Sequence, residues 1–474
     1  MIRILLCSVM GIALLIPVEF AQSGSQSPAP SDSEIHRMLV DRLGQRSGTA
    51  GIVVGIIEPA GTRIIAYGSR DRNDPRPVDG NTVFEIGSIT KVFTSLILAD
   101  MVRHGEVALT DPVARYLPQG VRIPERGGRA ITLEDLARHR SGLPRMPANF
   151  DPNTDPQNPY IKYSVNQLYE FLSGYVLPRD IDSRFEYSNM GAGLLGHALS
   201  LKAGKDYETL VRTRIWRPLG MEDTAITLPP DMKSRLAVGH NNLFQSTSNW
   251  DFQDAFAGAG AIRSTANDML RFLAAQLGYE QASLTPAISE TIAVRKEAGA
   301  GMEIGLGWLI RQKSGSEIIW HNGGTGGYRA FAGYDPKARV GVVALTNIST
   351  PAGVDDLGFH LLDPDSKLLP PDSPLLQPPW ESRETTLDAA TLDLYAGKYQ
   401  MQSVGMVAVI RENNRLFVQM SGQPRVEIFA ESDRNFFCKA ENARITFESE
   451  GKKPATALIL HQGGKDYRAT RIAE

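Results

Sequence analysis

The chain has 474 residues, enough for two or three domains with substantial hydrophobic cores. Its 50 Lys and Arg residues nearly balance its 53 Asp and Glu residues, for a formal net charge of -3, and no basic block occurs along the chain. We therefore expect no nucleic-acid partner.

The first residues predict an export signal. Arg3 precedes an apolar run over residues 4–18, and small and polar residues follow the run. Because this run is shorter than the ~20 residues that cross a bilayer, we expect a signal peptide over residues 1–23 and a periplasmic or secreted protein. An uncleaved anchor is the alternative. Cys7 leaves with the signal, so Cys438 has no intramolecular disulfide partner.

Residues 24–33 are polar and lack the apolar content to pack, which predicts a flexible tether. The folded part is expected to begin near Glu34, where EIHRMLVDRL has apolar residues at helical spacing. GIVVGIIEP and TRIIAYG then predict two β-strands joined by a short turn.

The middle of the chain predicts helices, and the part that follows predicts strands. SITKVFTSLILADMVRHG, VNQLYEFLSGY, GAGLLGHALSLKAG and ANDMLRFLAAQLG have apolar residues at three- and four-residue spacing. From Ile304, IGLGWLI, SEIIWH, YRAFAGY and VGVVALTN are strand-like. This order predicts an α+β unit over residues 34–350, in which the terminal strands share one antiparallel sheet packed by helices.

Two further segments are expected after residue 350. Residues 351–385 contain seven prolines, a density that discourages regular structure and indicates a linker. Residues 386–474 contain short alternating strands, with a turn at Asn413-Asn414, as in a small antiparallel β-barrel or sandwich.

Ser88 and Lys91 form the first group that could carry chemistry. They open a predicted helix and lie one turn apart on the same face. Backbone N–H groups at the helix start, and a lysine whose pKa is depressed by burial or nearby cations, would make this serine a nucleophile. Serine is also a common helix cap and lysine a common exposed residue, so the spacing alone does not decide.

Tyr187 and Asn189 form the second group. They are two apart in an extended segment just before a predicted helix, so their side chains point the same way. A phenol near an ammonium can lose its proton more easily, and the amide can orient a carbonyl or the lysine. The alternative is a capped helix start with the tyrosine in the core.

His321, Gly323 and Gly324 form the third group, where an apolar strand gives way to a glycine-rich stretch. Such backbone lets a ligand approach main-chain N–H groups closely, and the histidine could donate a hydrogen bond or handle protons. The alternative is a glycine-rich hairpin with a histidine at its edge.

Taken in this order, the three groups resemble the signature motifs of the penicillin-recognising serine hydrolases. This superfamily includes DD-peptidases, class C β-lactamases, D-aminopeptidases and β-lactamase-like esterases. ITLEDLARHRSGLP, WRPLGMEDTA and GAGAIRSTANDMLRFL are also similar to connecting segments of the class C-like branch. The resemblance implies that Ser88 is the nucleophile. It implies that Lys91 and Tyr187 are the proton-transfer pair. The substrate-binding residues that it implies are Asn189, His321, Gly323 and Gly324. The N–H groups of Ser88 and Gly324 would form the oxyanion hole.

The resemblance implies hydrolysis through a Ser88 acyl-enzyme, on D-amino-acid peptides of the cell wall or on β-lactams. Most class C β-lactamases carry lysine where this chain has His321, which is mostly neutral at pH 7 on its reference pKa of ~6.5. Efficient β-lactam hydrolysis is therefore not expected, although Arg329 could supply the missing charge if it does not simply lie on the outer surface. The alternatives are an esterase or D-aminopeptidase for small substrates and, more remotely, a non-catalytic penicillin-binding-like protein.

The remaining signals carry less information. The C-terminal residues resemble the lipocalin-like β-domain of some of these hydrolases, which could cover the active-site rim and limit substrate size or could only stabilise. No paired-cysteine, H-E-x-x-H or calcium-loop pattern occurs, so no metal or cofactor is expected, and His139, His197 and His240 are interpreted as structural or exposed. Residues 191–196 fit G-x-G-x-x-G without a βαβ context, which indicates close helix packing.

Overall fold

The computed structural model describes residues 29–371, 373, 375–376, 384–401, 405–420, 423–438, 443–449, 451, 453–462 and 465–472. The predicted signal peptide and the first residues of the predicted tether lie outside these ranges. Within them, no helix is both long enough and apolar enough to cross a membrane.

Helices cover both faces of a central sheet, and the four long helices predicted in the middle of the chain are confirmed. In chain order the helices are α1 (Asp32–Leu43), α2 (Thr90–Arg103), α3 (Leu133–Ala137), α4 (Val165–Gly174), α5 (Asn189–Ala203), α6 (Tyr207–Val211), α7 (Pro230–Arg235), α8 (Ala257–Gly260), α9 (Ala266–Gln276), α10 (Thr285–Ala293), α11 (Asp355–Leu362) and α12 (Ala389–Asp393).

Strands from both ends of the first 350 residues form one antiparallel sheet. The strands of this region are β1 (Gly51–Glu58), β2 (Gly61–Asp71), β3 (Asp74–Pro77), β4 (Val83–Glu85), β5 (Glu125–Arg126), β6 (Arg129–Ala130), β7 (His240–Asn241), β8 (Arg263–Thr265), β9 (Lys296–Glu297), β10 (Met302–Ile304), β11 (Leu309–Lys313), β12 (Ser316–Gly324), β13 (Arg329–Asp335), β14 (Val340–Thr346) and β15 (Ile348–Ser349). Nine of them pair in the order β3-β2-β1-β14-β13-β12-β11-β10-β9. Because β1 pairs antiparallel with β14, the predicted α+β arrangement is confirmed.

The central strand β1 is buried on both faces, which explains its continuous apolar sequence. Val53 and Ile57 pack in the cluster that contains residues of α2 and α9. Ile52 and Val54 point the other way and pack with residues of α1 and α11. The sheet therefore has a helical layer on each side.

Helix α2 lies inside the larger of these two clusters. All of its residues from Thr90 to Met101 are buried, and Phe93 stacks on Phe272 of α9 at 4.3 Å between ring centres. Because the helix is enclosed on all sides, its first turn places Lys91 in the core, away from water.

The first helix begins earlier than expected. Its N-cap is Ser31, whose side chain accepts from the backbone N–H of Glu34, while the Glu34 carboxylate accepts from the Ser31 backbone N–H at 2.9 Å. This capping box draws the end of the predicted tether into the fold, and Ala29 is buried before it. Regular structure therefore starts at Asp32.

The proline-rich segment also contains regular structure, so the expectation of an irregular linker from residue 351 is wrong. Helix α11 occupies the stretch between Pro351 and Pro364, which is free of proline. Leu357 and Leu361 are buried at helical spacing against the outer face of the sheet. The prolines end this stretch at each side and do not interrupt it.

The last part of the described chain forms a closed antiparallel barrel. Of the two predicted alternatives, barrel and sandwich, the barrel is therefore the one found. After α12 its strands are β16 (Gly397–Met401), β17 (Gly405–Glu412), β18 (Arg415–Met420), β19 (Val426–Ala430), β20 (Asn435–Cys438), β21 (Ala443–Glu448), β22 (Ala457–Gln462) and β23 (Lys465–Arg471). Pairing of β16 with β23 closes the barrel. The predicted turn joins β17 to β18, and Asn413 has a left-handed φ of 55° there. Strand β20 was not predicted, because NFFC buries three successive residues and shows no alternation.

The packing of α11 predicts the effect of a truncation. Leu357→Ala should lower the free energy of unfolding by about 2–5 kcal/mol, because it leaves a cavity between α11 and the sheet. Denaturant titration followed by tryptophan fluorescence measures this, since Trp320 packs in the same cluster. Leu201→Ala, at a side chain that is 42% exposed on α5, is the control and should change stability by less than about 0.5 kcal/mol. Equal midpoints for the two variants would show that α11 is a detached linker.

Candidate active site

Ser88 and Lys91 are brought into direct contact. Ser88 lies in a 3-10 turn, Gly87–Ile89, directly before α2. Lys91 is 2% exposed, and its Nζ donates to Ser88 Oγ at 2.9 Å and to the carbonyl oxygen of Ala259 at 2.7 Å. Burial, and then the positive charge of Arg145, hold the pKa of the Lys91 ammonium well below its usual range. A neutral amine at this position can accept the serine proton.

Helix α8, which supplies the carbonyl partner of this ammonium, packs tightly against α5. A Cβ at Gly193 would meet the carbonyl oxygen of Ala255 at 2.2 Å, and one at Gly196 would meet Cα of Gly258 at 2.8 Å. The prediction that the G-x-G-x-x-G segment serves close helix packing is therefore confirmed. The contact sets the position of Ala259 behind the serine.

Tyr187 and Asn189 flank Ser188, the N-cap of α5, and both line the cavity in front of Ser88. The extended backbone of Ser188 turns its two neighbours to the same side, as the spacing predicts. The Asn189 Nδ2 lies 3.7 Å from Sδ of Met146, while the buried Oδ1 has no hydrogen-bond partner among the described residues.

The Tyr187 phenol is harder to ionise than its position beside an ammonium suggests. Burial raises the pKa of Tyr187 to about 12, although a hydrogen bond to Ser88 and the charge of Arg145 both act to lower it. Lys91 Nζ lies 4.9 Å from the centre of the phenol ring. Desolvation therefore outweighs the neighbouring charges, and the phenol carries its proton at neutral pH.

His321 reaches the site from β12 but does not line the cavity. The side chain is 1% exposed, its Nδ1 lies 2.6 Å from the carbonyl oxygen of Asn322, and its ring centre lies 6.2 Å from that of Tyr187. Burial, and then the charge of Lys91, lower the pKa of His321 to about 3, so the ring is neutral. Because side chains alternate along a strand, Asn322 lines the cavity in its place.

The glycines of β12 lie directly against the turn that carries the serine. A Cβ at Gly323 would meet the carbonyl oxygen of Ile86 at 1.9 Å and the backbone nitrogen of Ser88 at 3.0 Å. Gly87 has a left-handed φ of 51°, and a Cβ there would meet the backbone nitrogen of Gly324 at 2.6 Å. This contact brings the backbone nitrogens of Ser88 and Gly324 to the same part of the site.

The cavity in front of the serine has a volume of about 650 Å³ and a largely apolar wall. Its charged side chains are both arginines, and no carboxylate lines it within the described part of the chain. The barrel also contributes to the wall. The side chains that line the cavity include Ser88, Arg145, Phe150, Tyr160, Tyr187, Asn189, Trp250, Phe252, Asn322, Arg329, Gln423 and Pro424.

Arg329 lines this cavity and does not point to the outer surface. The sequence alone left both locations possible for this side chain. Its Nη1 donates to the carbonyl oxygens of Thr325 at 2.9 Å and Tyr328 at 3.0 Å. These bonds hold the guanidinium along the glycine-rich stretch that follows β12.

Two further residues of the site lie in the HRSGLPR segment: His139, which from the sequence alone is interpreted as structural or exposed, and Arg145, which the sequence motifs do not single out. His139 has a left-handed φ of 55° and is buried, and its Nδ1 lies 3.1 Å from the donating backbone N–H of Ser188. Its ring centre is 4.6 Å from that of Tyr187, so it orients the start of α5. Arg145 places its guanidinium carbon 5.1 Å from the same phenol ring centre. The sequence signal for these residues was the similarity of ITLEDLARHRSGLP, a segment between the first and second motifs, to the class C-like branch.

An antiparallel sheet packed by helices, with a Ser–Lys pair at the start of the buried helix, defines the class of serine acyl hydrolases that need no separate histidine base. The chain belongs to the Beta-lactamase family, whose profile matches residues 37–363. Residues 381–471 match a second profile, described as a domain of unknown function (DUF3471).

Individual relatives agree with this assignment. The D-alanyl-D-alanine-carboxypeptidase/endopeptidase AmpH of Escherichia coli (strain K12) is 30% identical over 367 residues, which is 73% of this chain and 91% of that protein. Penicillin-binding protein 4* of Bacillus subtilis (strain 168) is 28% identical over 429 residues, or 86% of this chain and 91% of that protein. A beta-lactamase/D-alanine carboxypeptidase from Yersinia pestis, crystallised with citrate, superposes with a TM-score of 0.58 at 27% identity, over 67% of this chain and 93% of that one.

The contact between β12 and the serine turn predicts the effect of one methyl group. Gly323→Ala should push the strand away from Ser88 and lower kcat by about 100-fold, because displacements near 1 Å have this effect on a catalytic site. Hydrolysis of a p-nitrophenyl ester measures this, with circular dichroism to monitor folding. Gly315→Ala is the control in the turn between β11 and β12, where a Cβ meets nothing within 4 Å. The control should strain the turn and keep kcat; a folded Gly323→Ala protein with normal kcat would contradict the prediction.

Proposed function

We propose that this protein is an exported DD-peptidase, a carboxypeptidase or endopeptidase that acts on D-amino-acid peptides of the cell wall through a Ser88 acyl-enzyme. The observation that carries the proposal is the buried Lys91 amine, 2.9 Å from Ser88 Oγ at the floor of a cavity of about 650 Å³. The AmpH relative is named as a D-alanyl-D-alanine-carboxypeptidase/endopeptidase, which supports the choice of substrate class. The apolar run after Arg3 supports export.

In the first half of the reaction, the neutral Lys91 amine accepts the Ser88 proton as Oγ bonds to the carbonyl carbon of the substrate. The carbonyl oxygen becomes an oxyanion, which the N–H groups of Ser88 and Gly324 stabilise. The bond to the leaving amine breaks as that amine takes up a proton passed through the Tyr187 hydroxyl. Water then attacks the acyl-enzyme along the same proton path and releases Ser88.

The pKa directions support one of the two possible uses of the proton-transfer pair. Burial lowers the pKa of the Lys91 ammonium and raises that of the Tyr187 phenol, since desolvation always disfavours the charged form. Both shifts favour the uncharged forms, the amine of Lys91 and the phenol of Tyr187, and the two groups titrate as a unit. Lys91 is the base in this arrangement, and Tyr187 passes the proton on.

The other side chains bind the substrate. The unpartnered Oδ1 of Asn189 can accept a hydrogen bond from an amide N–H of the donor peptide. Gly323 and Gly324 let the donor backbone lie along β12, as an added strand does. His321 is neutral and behind the cavity wall, so its contribution is to pack beside Lys91 and Tyr187 rather than to add charge.

One observation favours a second candidate, an esterase or D-aminopeptidase for small substrates. Aromatic side chains form one wall of the cavity, where Tyr160 stacks on Phe252 at 4.4 Å between ring centres and Trp250 lies 5.4 Å from Tyr160. Such a wall suits an apolar acyl group. Comparing kcat/KM for p-nitrophenyl butyrate and for a D-Ala-D-Ala peptide separates the two candidates, and a lack of either activity would support a non-catalytic binding protein.

Acylation by a β-lactam tests the proposed nucleophile. Intact mass after incubation with benzylpenicillin should show a stable adduct of one penicillin, absent in Ser88→Ala, because the neutral His321 lacks the charge expected for efficient β-lactam turnover. A transient adduct with released product would indicate a β-lactamase. A protein that forms no adduct but still cleaves p-nitrophenyl esters would support the esterase.

The pH dependence tests the assignment of the base. With a neutral ester, kcat/KM should rise with pH through the lowered pKa of Lys91, because only the neutral amine accepts a proton. It should level off well below the ordinary lysine pKa of ~10.4. Tyr187, with a pKa of about 12, stays protonated across that plateau.

The matched variant for this profile is Tyr187→Phe. It should keep the rising limb and lower only the plateau, since the amine still loses its proton in the same range. Rates in the wild type that continue to climb above ~10.4 would instead assign the base to the Tyr187 phenolate.

A further inference from the structure

Arg145 presents a positive charge to the catalytic cavity without a carboxylate beside it. Its side chain is exposed, and it lines both this cavity and the adjoining cleft of about 980 Å³ that runs towards the barrel. Two acids line the adjoining cleft: Glu186 lies 2.9 Å from Arg179, and Asp151 accepts from the backbone N–H and the side-chain Nδ2 of Asn153. In the described part of the chain, no acid forms an ion pair with Arg145.

The position of Arg145 is set by the same helix that carries the second motif. Its carbonyl oxygen accepts from the backbone N–H groups of Asn189 at 3.0 Å and Met190 at 3.2 Å, at the start of α5. The preceding carbonyl, of Pro144, accepts from the Ser188 hydroxyl at 2.6 Å. Because this backbone is held at three points, the Arg145 side chain starts from a fixed position, and its guanidinium carbon lies 5.1 Å from the ring centre of Tyr187.

The other arginine of the cavity is in a different electrostatic setting. Arg329 donates to two backbone carbonyls. Burial raises the pKa of the Asp355 carboxyl to about 6, and the charge of Arg329 acts against this rise. The positive charge of Arg329 therefore already interacts with groups of the protein itself, namely two backbone carbonyls and the Asp355 carboxyl. Arg145 is the cavity cation for which the described residues provide no ion-pair partner, so the N–H groups at the edge of its guanidinium can bind a ligand.

We propose that Arg145 binds a carboxylate of the acyl donor and so selects anionic over neutral substrates at the Ser88 site. The inference rests on the proposed hydrolase function. A guanidinium matches a carboxylate through two parallel hydrogen bonds, and a cavity with two cations and no acid attracts anions. The carboxylate can belong to the acyl part of the donor or to its leaving group.

The experiment compares matched donors on the wild type, Arg145→Gln and Arg145→Lys. One pair is a D-Ala-D-Ala peptide and its C-terminal amide, and the other is a p-nitrophenyl ester with and without a carboxylate at the end of its acyl chain. In Arg145→Gln, the ratio of kcat/KM for the anionic to the neutral member should fall at least about tenfold, mainly through KM. The pair that shows the fall identifies which carboxylate is bound.

Several controls separate this role from a structural one. Arg145 also helps to lower the pKa of Lys91, so Arg145→Gln should move the rising limb of the pH profile upward for both members of a pair, and the ratio cancels that effect. Arg145→Lys should recover part of the ratio, and added salt should raise KM for the anionic donor more in the wild type than in Arg145→Gln. Arg329→Gln is the matched control and should change the ratios less than Arg145→Gln.

Unchanged ratios in both pairs for Arg145→Gln would overturn the proposal, whatever the absolute rates. A wild type that hydrolyses none of the four donors would instead contradict the proposed function. The neutral ester makes the two failures distinguishable, because its hydrolysis needs Ser88 and Lys91 but no carboxylate contact.

Discussion

The removal of one ammonium group from water is the constraint on which the site depends. Lys91 is held in the core by a helix that is buried on all sides, and its charged form loses hydration that two hydrogen bonds only partly replace. The protein therefore favours the neutral amine, which is the form that a serine nucleophile requires. The same burial disfavours the phenolate of Tyr187 and the imidazolium of His321. Burial thus shifts the pKa values of three neighbouring groups, Lys91, Tyr187 and His321, in the direction that favours their neutral forms.

This environment depends on backbone contacts that leave no room for side chains. Gly323 and Gly87 let β12 lie against the serine turn, while Gly193 and Gly196 let α8 lie against α5. The first contact places main-chain nitrogens beside Ser88, and the second places the Ala259 carbonyl beside Lys91. The geometry around the nucleophile is therefore a consequence of packing between elements that are far apart in the chain.

In the proposed function, substrate selection depends on the charges that remain in contact with the cavity. His321 is neutral and covered, so the positive potential comes from Arg145 and Arg329. Gln423 and Pro424, which lie between β18 and β19 of the barrel, also line the cavity, and Gln423 lines the adjoining cleft together with Arg145. The barrel therefore lies at the rim of the cavity, as the first of the two alternatives for the C-terminal domain requires.

The sequence by itself determined the α+β class, the positions of the four long helices in the middle of the chain, the barrel strands other than β20 and the order of the three motifs. These features are local, since helical spacing, strand alternation and turn residues are written within short windows of the chain. It could not determine that α11 occupies a proline-rich segment, because the average proline content concealed a proline-free stretch with two buried leucines. Nor could it determine the charge states of Lys91 and Tyr187 or the presence of Arg145, since desolvation and electrostatic fields depend on which distant residues pack around a group. Only the tertiary structure sets those neighbours.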